Sequence, residues 1–366
     1  MSSTRGSIEE QTPKLLWEIG TAYDLFISLV VLHAPEDYGL RGSWAAGVRS
    51  RLPAGERKVL DDAIQLFHIP LQWLLVLPEP KDSATALWTL GQLPPAERLP
   101  ALTLHWEMPD ALRQTFLNVA GRGAWSDKDM EVVRGVLHSK KVRLSPKEVA
   151  SLLDWWAQPA EFGELFLQAL RSYQQVFYAE EEQRILPALH EALGRAQELA
   201  TGLSVPDLLT ELSQGVHFNF LPELSELVLA PSFWSTPLVN FDMVAERRMV
   251  MTFGARPAGD SLVPGEVVPD AMLQTLKALA DPTRLRIMRY LAAEPLTPAQ
   301  LSKKLRLRAP TVVHHLYSLR MAGLVIVNVE TSGEKRYAIR AEMLAGTFAN
   351  IQEFLKEDSS PKARGK

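Results

Sequence analysis

The stretch DPTRLRIMRYLAAEPLTPAQLSKKLRLRAPTVVHHLYSLRMAGLVIVNVETSGEKRYAIR, residues 281–340, decides the fold of the carboxy-terminal part of this chain. Asp281-Pro282 opens it as a helix start, with Asp as cap and Pro in the first turn, where a missing N–H costs nothing. Leu285, Ile287, Met288 and Leu291 supply apolar positions of that helix. Thr297-Pro298-Ala299-Gln300 has capping-box spacing, in which two polar side chains satisfy two otherwise unpaired N–H groups, and Leu301 with Leu305 gives the next helix one buried face. A short turn leads to a third helix over 311–321, where Val312, Leu316 and Leu319 recur at i, i+4 and i+7. Two short helices joined by such a turn make a helix-turn-helix. Gly323 ends the third helix, and 325–329 and 335–339 read as two strands around Ser332-Gly333-Glu334, a hairpin in the position of a wing.

Working outward, Leu273, Leu276 and Leu279 mark a short helix upstream. Downstream, Leu344, Phe348, Ile351 and Leu355 form a helical stripe too apolar to face water. Either a second copy of the chain or the amino-terminal part would cover it. The phrases LKALADPTRLRIMRYL, APTVVHHLYSLRMAGLV and GEKRYAIR, in this order and spacing over 269–355, resemble the ArsR-type winged-helix repressors. That resemblance implies a sequence-specific transcription regulator, a homodimeric repressor on a pseudo-palindromic operator in double-stranded DNA. The first and last helices of the domain would form the dimer interface, here Leu273, Leu276, Leu344, Phe348, Ile351 and Leu355. The third helix of the motif, about 309–322, would enter the major groove, with the wing, about 324–340, on the backbone. The segment SELVLAPSFWSTP, 225–237, resembles one in a lengthened subset of these regulators that carries a large amino-terminal domain.

With Val312, Leu316 and Leu319 turned inward, the opposite helix face presents Pro310, Thr311, His314 and Tyr317. Thr311 and His314 can exchange hydrogen bonds with base edges. Arg306 and Arg308 at the turn, and Lys335 and Arg336 on the wing, are placed for phosphates, so binding should fall steeply with salt. His314 also reads as a solvated histidine, His315 as a packed or capping one, and Lys303 with Lys304 as a solvated face. Val313 departs from the family, which commonly has a small polar residue there; a valine can contact only a thymine methyl.

The rest of the chain bounds the function. Of 366 residues, 46% are hydrophobic and 22% charged, which suits a globular protein of two or three domains. The longest apolar runs, 25–32 and 69–77, are far short of a membrane span, and the polar, acidic start does not resemble a signal peptide, so a cytoplasmic location without membrane contact is expected. There is no cysteine, which excludes disulfides, thiolate metal sites and thiol switches. Residues 270–366 hold 16 Lys and Arg against 9 Asp and Glu, a balance of +7, leaving −11 for the remainder. A basic block beside an acidic one suits a nucleic-acid reader joined to something that does not touch nucleic acid.

Up to about residue 220 the pattern is helical, with start signals at Ser126–Asp129 and Ser145–Glu148 and an amphipathic run through Leu165, Phe166, Ala169, Leu170, Tyr173, Val176 and Phe177. Runs at 224–229 and 248–253 read as strands that pair into a small β element. The expected fold is therefore mainly α: a helical domain with a small β element over 1–254, a linker at 255–268, a winged helix-turn-helix domain over 269–358 and a basic tail at 359–366. Enzyme signatures are missing: Gly121-Arg-Gly123 lacks a third glycine, no G-x-S-x-G occurs, and Glu180–Glu182 reads as an exposed helix face. No metal or cofactor is expected, and the chain is read as a non-enzyme. Trp155, Trp156, Phe162, Phe166, Tyr173, Phe177 and Tyr178 read as core, yet a helical domain so rich in aromatics can also hold a small apolar effector. The rival readings are a protein-interaction scaffold that uses the winged helix as a binding module, and an amino-terminal enzyme under winged-helix control.

Overall fold

The computed structural model describes residues 12–38, 40–64, 69–139, 144–257, 260–263, 268–330 and 333–354. Ser332, Leu355, the side chain of Leu344, the 359–366 tail and parts of the 255–268 segment lie outside the described residues. The chain divides into two compact units, the first comprising Met1–Glu36, Leu40–Glu198 and Pro222–Arg256, the second Asp37–Gly39, Leu199–Leu221 and Pro257–Lys366. The sequence reading kept 199–221 with the amino-terminal part, whereas these residues group with the winged helix.

The first unit is a helical array on a four-stranded sheet. Ser145 and Glu148 form a reciprocal capping box at the start of helix Pro146–Ala157. In helix Pro159–Tyr173 the residues Phe162, Phe166, Leu167, Leu170 and Tyr173 are all buried, and the helix packs on Pro95–Thr103 and Ala54–Ile64. Its approach to the former is so close that a Cβ on Gly163 would stand 2.0 Å from the Pro95 carbonyl oxygen. Arg98 lies in the same crossing, and its guanidinium donates to the Leu90 and Gly163 carbonyls at 3.1 Å. Trp156, Tyr173 and Tyr178 are fully or almost fully buried, in keeping with core roles.

The sheet runs Lys14–Trp17, Glu226–Ser232, Arg248–Gly254, Asn240–Ala245; the first three strands are parallel and the last antiparallel. The two apolar runs seen in the sequence do pair, in parallel, with Glu226 opposite Arg248 and Ser232 opposite Gly254. Parallel strands covered on both faces read as unbroken apolar runs, which is why these two were visible. The outer strands KLLW and NFDMVA were not, being short or irregular in pattern.

The segment after strand Glu226–Ser232 is shaped by one carboxylate. Asp24, on helix Thr21–His33 and fully buried, accepts bonds from Ser232 Oγ at 2.6 Å, the Phe233 amide at 2.9 Å and the Trp234 amide at 3.0 Å. Burial nevertheless pushes its carboxyl up to about 6. Trp234 Nε1 donates to Glu181 at 3.1 Å, so the SFWSTP phrase is a buried polar and aromatic node.

Candidate nucleic-acid interface

In the second unit the helices Pro282–Leu291, Pro298–Leu305 and Ala309–Met321 follow one another, then strands Val325–Val329 and Lys335–Ile339 and helix Ala341–Phe354. Asp281 accepts the Arg284 amide at 2.9 Å, and Thr297 with Gln300 forms the reciprocal capping box. Ile287, Met288, Leu291, Leu301, Leu305, Val312, Leu316 and Leu319 make one core with Leu324 and Val325. Between the second and third helices the chain reverses at Arg306, whose φ of 56° puts a non-glycine residue in the left-handed region. Ser302 Oγ donates to the Leu307 carbonyl and closes this turn. The hairpin gains a bridge in which Leu296 and Tyr337 exchange two backbone bonds of 2.9 Å.

Burying one face of Ala309–Met321 leaves Thr311, Val313 and His314 exposed, with Tyr317 half-buried. Arg306 and Arg308 are exposed at the turn, Lys335 is exposed on the hairpin, and Arg336 is half-buried and 3.3 Å from Glu334. The described side chains thus present a polar helix face flanked by cations, and Val313 stands 48% exposed among them. His315 differs from His314. Its ring is mostly covered, its Nδ1 lies 4.0 Å from Asp281, and burial lowers its pKa from the ordinary histidine value.

Helices Asp270–Leu279 and Ala341–Phe354 pack together. Leu273 and Ile351 are half-buried there, while Leu276 is 43% and Phe348 58% exposed.

Sequence reasoning missed the most buried charge among the described residues of this unit. Arg320, on the third helix, donates to the Ser213 carbonyl and, at 3.0 Å, to that of Gln214, where helix Val205–Leu212 ends. Arg340 reaches the same Gln214 oxygen at 3.3 Å. Just beyond, strand Val216–Phe218 runs parallel to Val325–Val329 and makes the wing sheet three-stranded. Asn219 adds a 2.8 Å side-chain bond to Glu330. Three residues are too few for an alternation signal, and an arginine in an otherwise ordinary helix gives no hint of a partner 107 positions away.

The profile of the bacterial regulatory proteins of the arsR family matches residues 281–327. Two relatives, each an HTH-type transcriptional regulator CmtR, one from Mycobacterium bovis and one from Mycobacterium tuberculosis, are 39% identical to this chain over 86 residues. The aligned part is 24% of this chain and 72% of each relative. Matching motif, cap geometry and relatives agree that this chain belongs to the ArsR family and is a winged helix-turn-helix transcription regulator.

Proposed function

We propose that the chain acts as a homodimeric repressor, with Ala309–Met321 in the major groove of a pseudo-palindromic operator and the 325–339 hairpin on the phosphate backbone. The observation that carries this reading is the joint exposure of Thr311, Val313 and His314 on a helix whose other face is locked in the core, between Arg306 and Arg308 on one side and Lys335 and Arg336 on the other. Exposed Leu276 and Phe348 on two packed helices supply an apolar face for a second copy. Two-fold symmetry then sets half-sites roughly 34–36 Å apart. A chain without cysteine cannot sense through thiolates, so the signal is assigned to the first unit, and that unit is read as a sensor without enzymatic activity.

The test is selection of bound duplexes from a random pool, followed by affinity for the selected site. Thr311→Ala with His314→Ala should cost about 1–3 kcal/mol and relax base preference. Leu276→Glu with Phe348→Glu should give a monomer in sedimentation and lose most operator affinity. A Thr311/His314 double variant that binds the selected site unchanged would mean that another surface reads the DNA.

A further inference from the structure

The first unit contains a cavity of about 240 Å³, bounded by helices Pro95–Thr103, Asp110–Arg122, Asp127–Ser139 and Pro146–Ala157 and reached by strand Asn240–Ala245. Its wall is largely apolar, with Trp73, Leu102, Phe116, Val133 and Trp156 prominent. Phe116 and Trp156 stack face to face, their rings 4.7 Å apart and 3° from parallel. Leu152 completes that side.

Among the described residues, the side chains of Gln72, Thr103, His105 and Asp242 interrupt this lining. Asp242 comes from the sheet, and among the described residues its carboxylate has no hydrogen bond and no ion pair. Apolar surroundings and then the neighbouring Glu107 push its carboxyl up to about 6, so at neutral pH it is still mostly an anion. Trp156 is fully buried, and its Nε1–H has no acceptor among the described residues. An anion facing no protein partner is expensive in an apolar surrounding. A cavity with an apolar body and a few such groups is the usual form of a small-molecule site.

Charge selects the ligand class. No Lys or Arg lines the cavity among the described residues; its titratable lining groups are Asp242 and His105, and the carboxylate of Glu107 lies near Asp242. Size limits it further: a cavity of about 150 Å³ holds benzene, so this one has room for one or two rings with a short substituent. We propose that the cavity is a binding site for a small aromatic cation, its ring against the Trp73, Phe116 and Trp156 wall and its ammonium on Asp242. The site stands on the geometry of the first unit alone. That its occupant is the regulator's effector rests on the proposed function, and a test run without DNA lets the two ideas fail separately.

The test is calorimetric titration of the full chain with 1-naphthylmethylamine, its neutral analogue 1-naphthylmethanol and anionic 1-naphthoate. The amine should bind at least tenfold tighter than the alcohol, and naphthoate weakest. Asp242→Asn should bring the amine to the affinity of the alcohol while the alcohol keeps its own, which also reports an intact fold. Val133→Phe keeps the carboxylate but fills the cavity, and should abolish binding of both. Equal affinities for amine and alcohol in the native chain, a preference that survives Asp242→Asn, undiminished amine binding by Val133→Phe, or no binding of any of the three would each overturn the assignment.

Discussion

Replacing Arg320 by Met asks whether residues 199–221 are built into the winged unit. The side chain is 5% exposed and donates to the Ser213 and Gln214 carbonyls. Methionine keeps the aliphatic stem, so packing changes little and the guanidinium is what is lost. A bond from a charged donor contributes about 1.5–3 kcal/mol, and the Ser213 carbonyl belongs to a fully buried residue, whereas Gln214 keeps Arg340. Part of the loss is returned, because the guanidinium no longer has to be desolvated; burial, aided by Arg340, already pushes its pKa down to about 10. A net destabilisation of about 2 kcal/mol follows, with a fall of roughly 8 °C in the midpoint for a unit of this size. All nine tryptophans belong to the first unit, so tryptophan emission follows that unit while far-UV circular dichroism follows both. Amide exchange gives the sharper readout. The Asn219 N–H, bonded to the Val329 carbonyl at 3.1 Å, and the Val327 N–H, bonded to the Gly215 carbonyl at 2.9 Å, should exchange about 30-fold faster in the variant. Exchange at both positions within twofold of the native chain, with the dichroism midpoint unmoved, would refute the reasoning.

Three further outcomes are expected. Gly163→Ala forces its new methyl into the Pro95 carbonyl and should destabilise the first unit by about 3 kcal/mol, read as a lower tryptophan-monitored urea midpoint; an unchanged midpoint would show that the helix crossing yields. Asp24 holds its proton up to about pH 6 in the folded chain but only to about 3.8 when unfolded, so the folded state binds more protons between those values. The contribution of this fully buried group to stability therefore falls by about 3 kcal/mol as pH rises from 3 to 7, about 2 kcal/mol of it between 4 and 6, and is flat above about 7, and Asp24→Asn should remove that slope in calorimetric scans at stepped pH. Arg306→Gly relieves a left-handed backbone and should stabilise the second unit by about 0.5–1 kcal/mol while weakening operator binding and lowering the slope of log affinity against log salt by about one; a slope equal to that of the native chain would take Arg306 off the phosphates.

Residues 281–340 were legible because their signals are local. A cap and its amide lie three residues apart, as Asp281 and Arg284 or Thr297 and Gln300 do, and a helical stripe repeats within two turns. Their exposed counterparts, Thr311 and His314, followed directly from knowing which face was buried. What stayed hidden depends on partners far along the chain. Asp24 organises the SFWSTP phrase from 208 positions away, and nothing in either stretch marks the other. Asp242 sits in the weakly patterned strand Asn240–Ala245, and its standing as an uncompensated charge exists only once the surrounding helices have closed an apolar wall beside it. Of the aromatics of 155–178, Trp156, Phe162, Phe166, Tyr173 and Tyr178 are core as expected and Trp155 and Phe177 are half-buried, and which of them border empty space is a property of packing that composition does not carry.

The placement of strand Val216–Phe218 bears on how this regulator can be cut. The backbone leaves the first unit at about residue 199, returns to it at about 222 and leaves again at about 257, so a single cut does not separate the two. A fragment trimmed to the family-sized portion, beginning near 269, would lose that strand and bare the edge of Val325–Val329, along with the Arg320 guanidinium. Open strand edges invite pairing between molecules. The stretch of 86 residues that aligns with the mycobacterial relatives is accordingly shorter than the second compact unit, and expression boundaries for this chain are better drawn from its hydrogen bonds than from its homology.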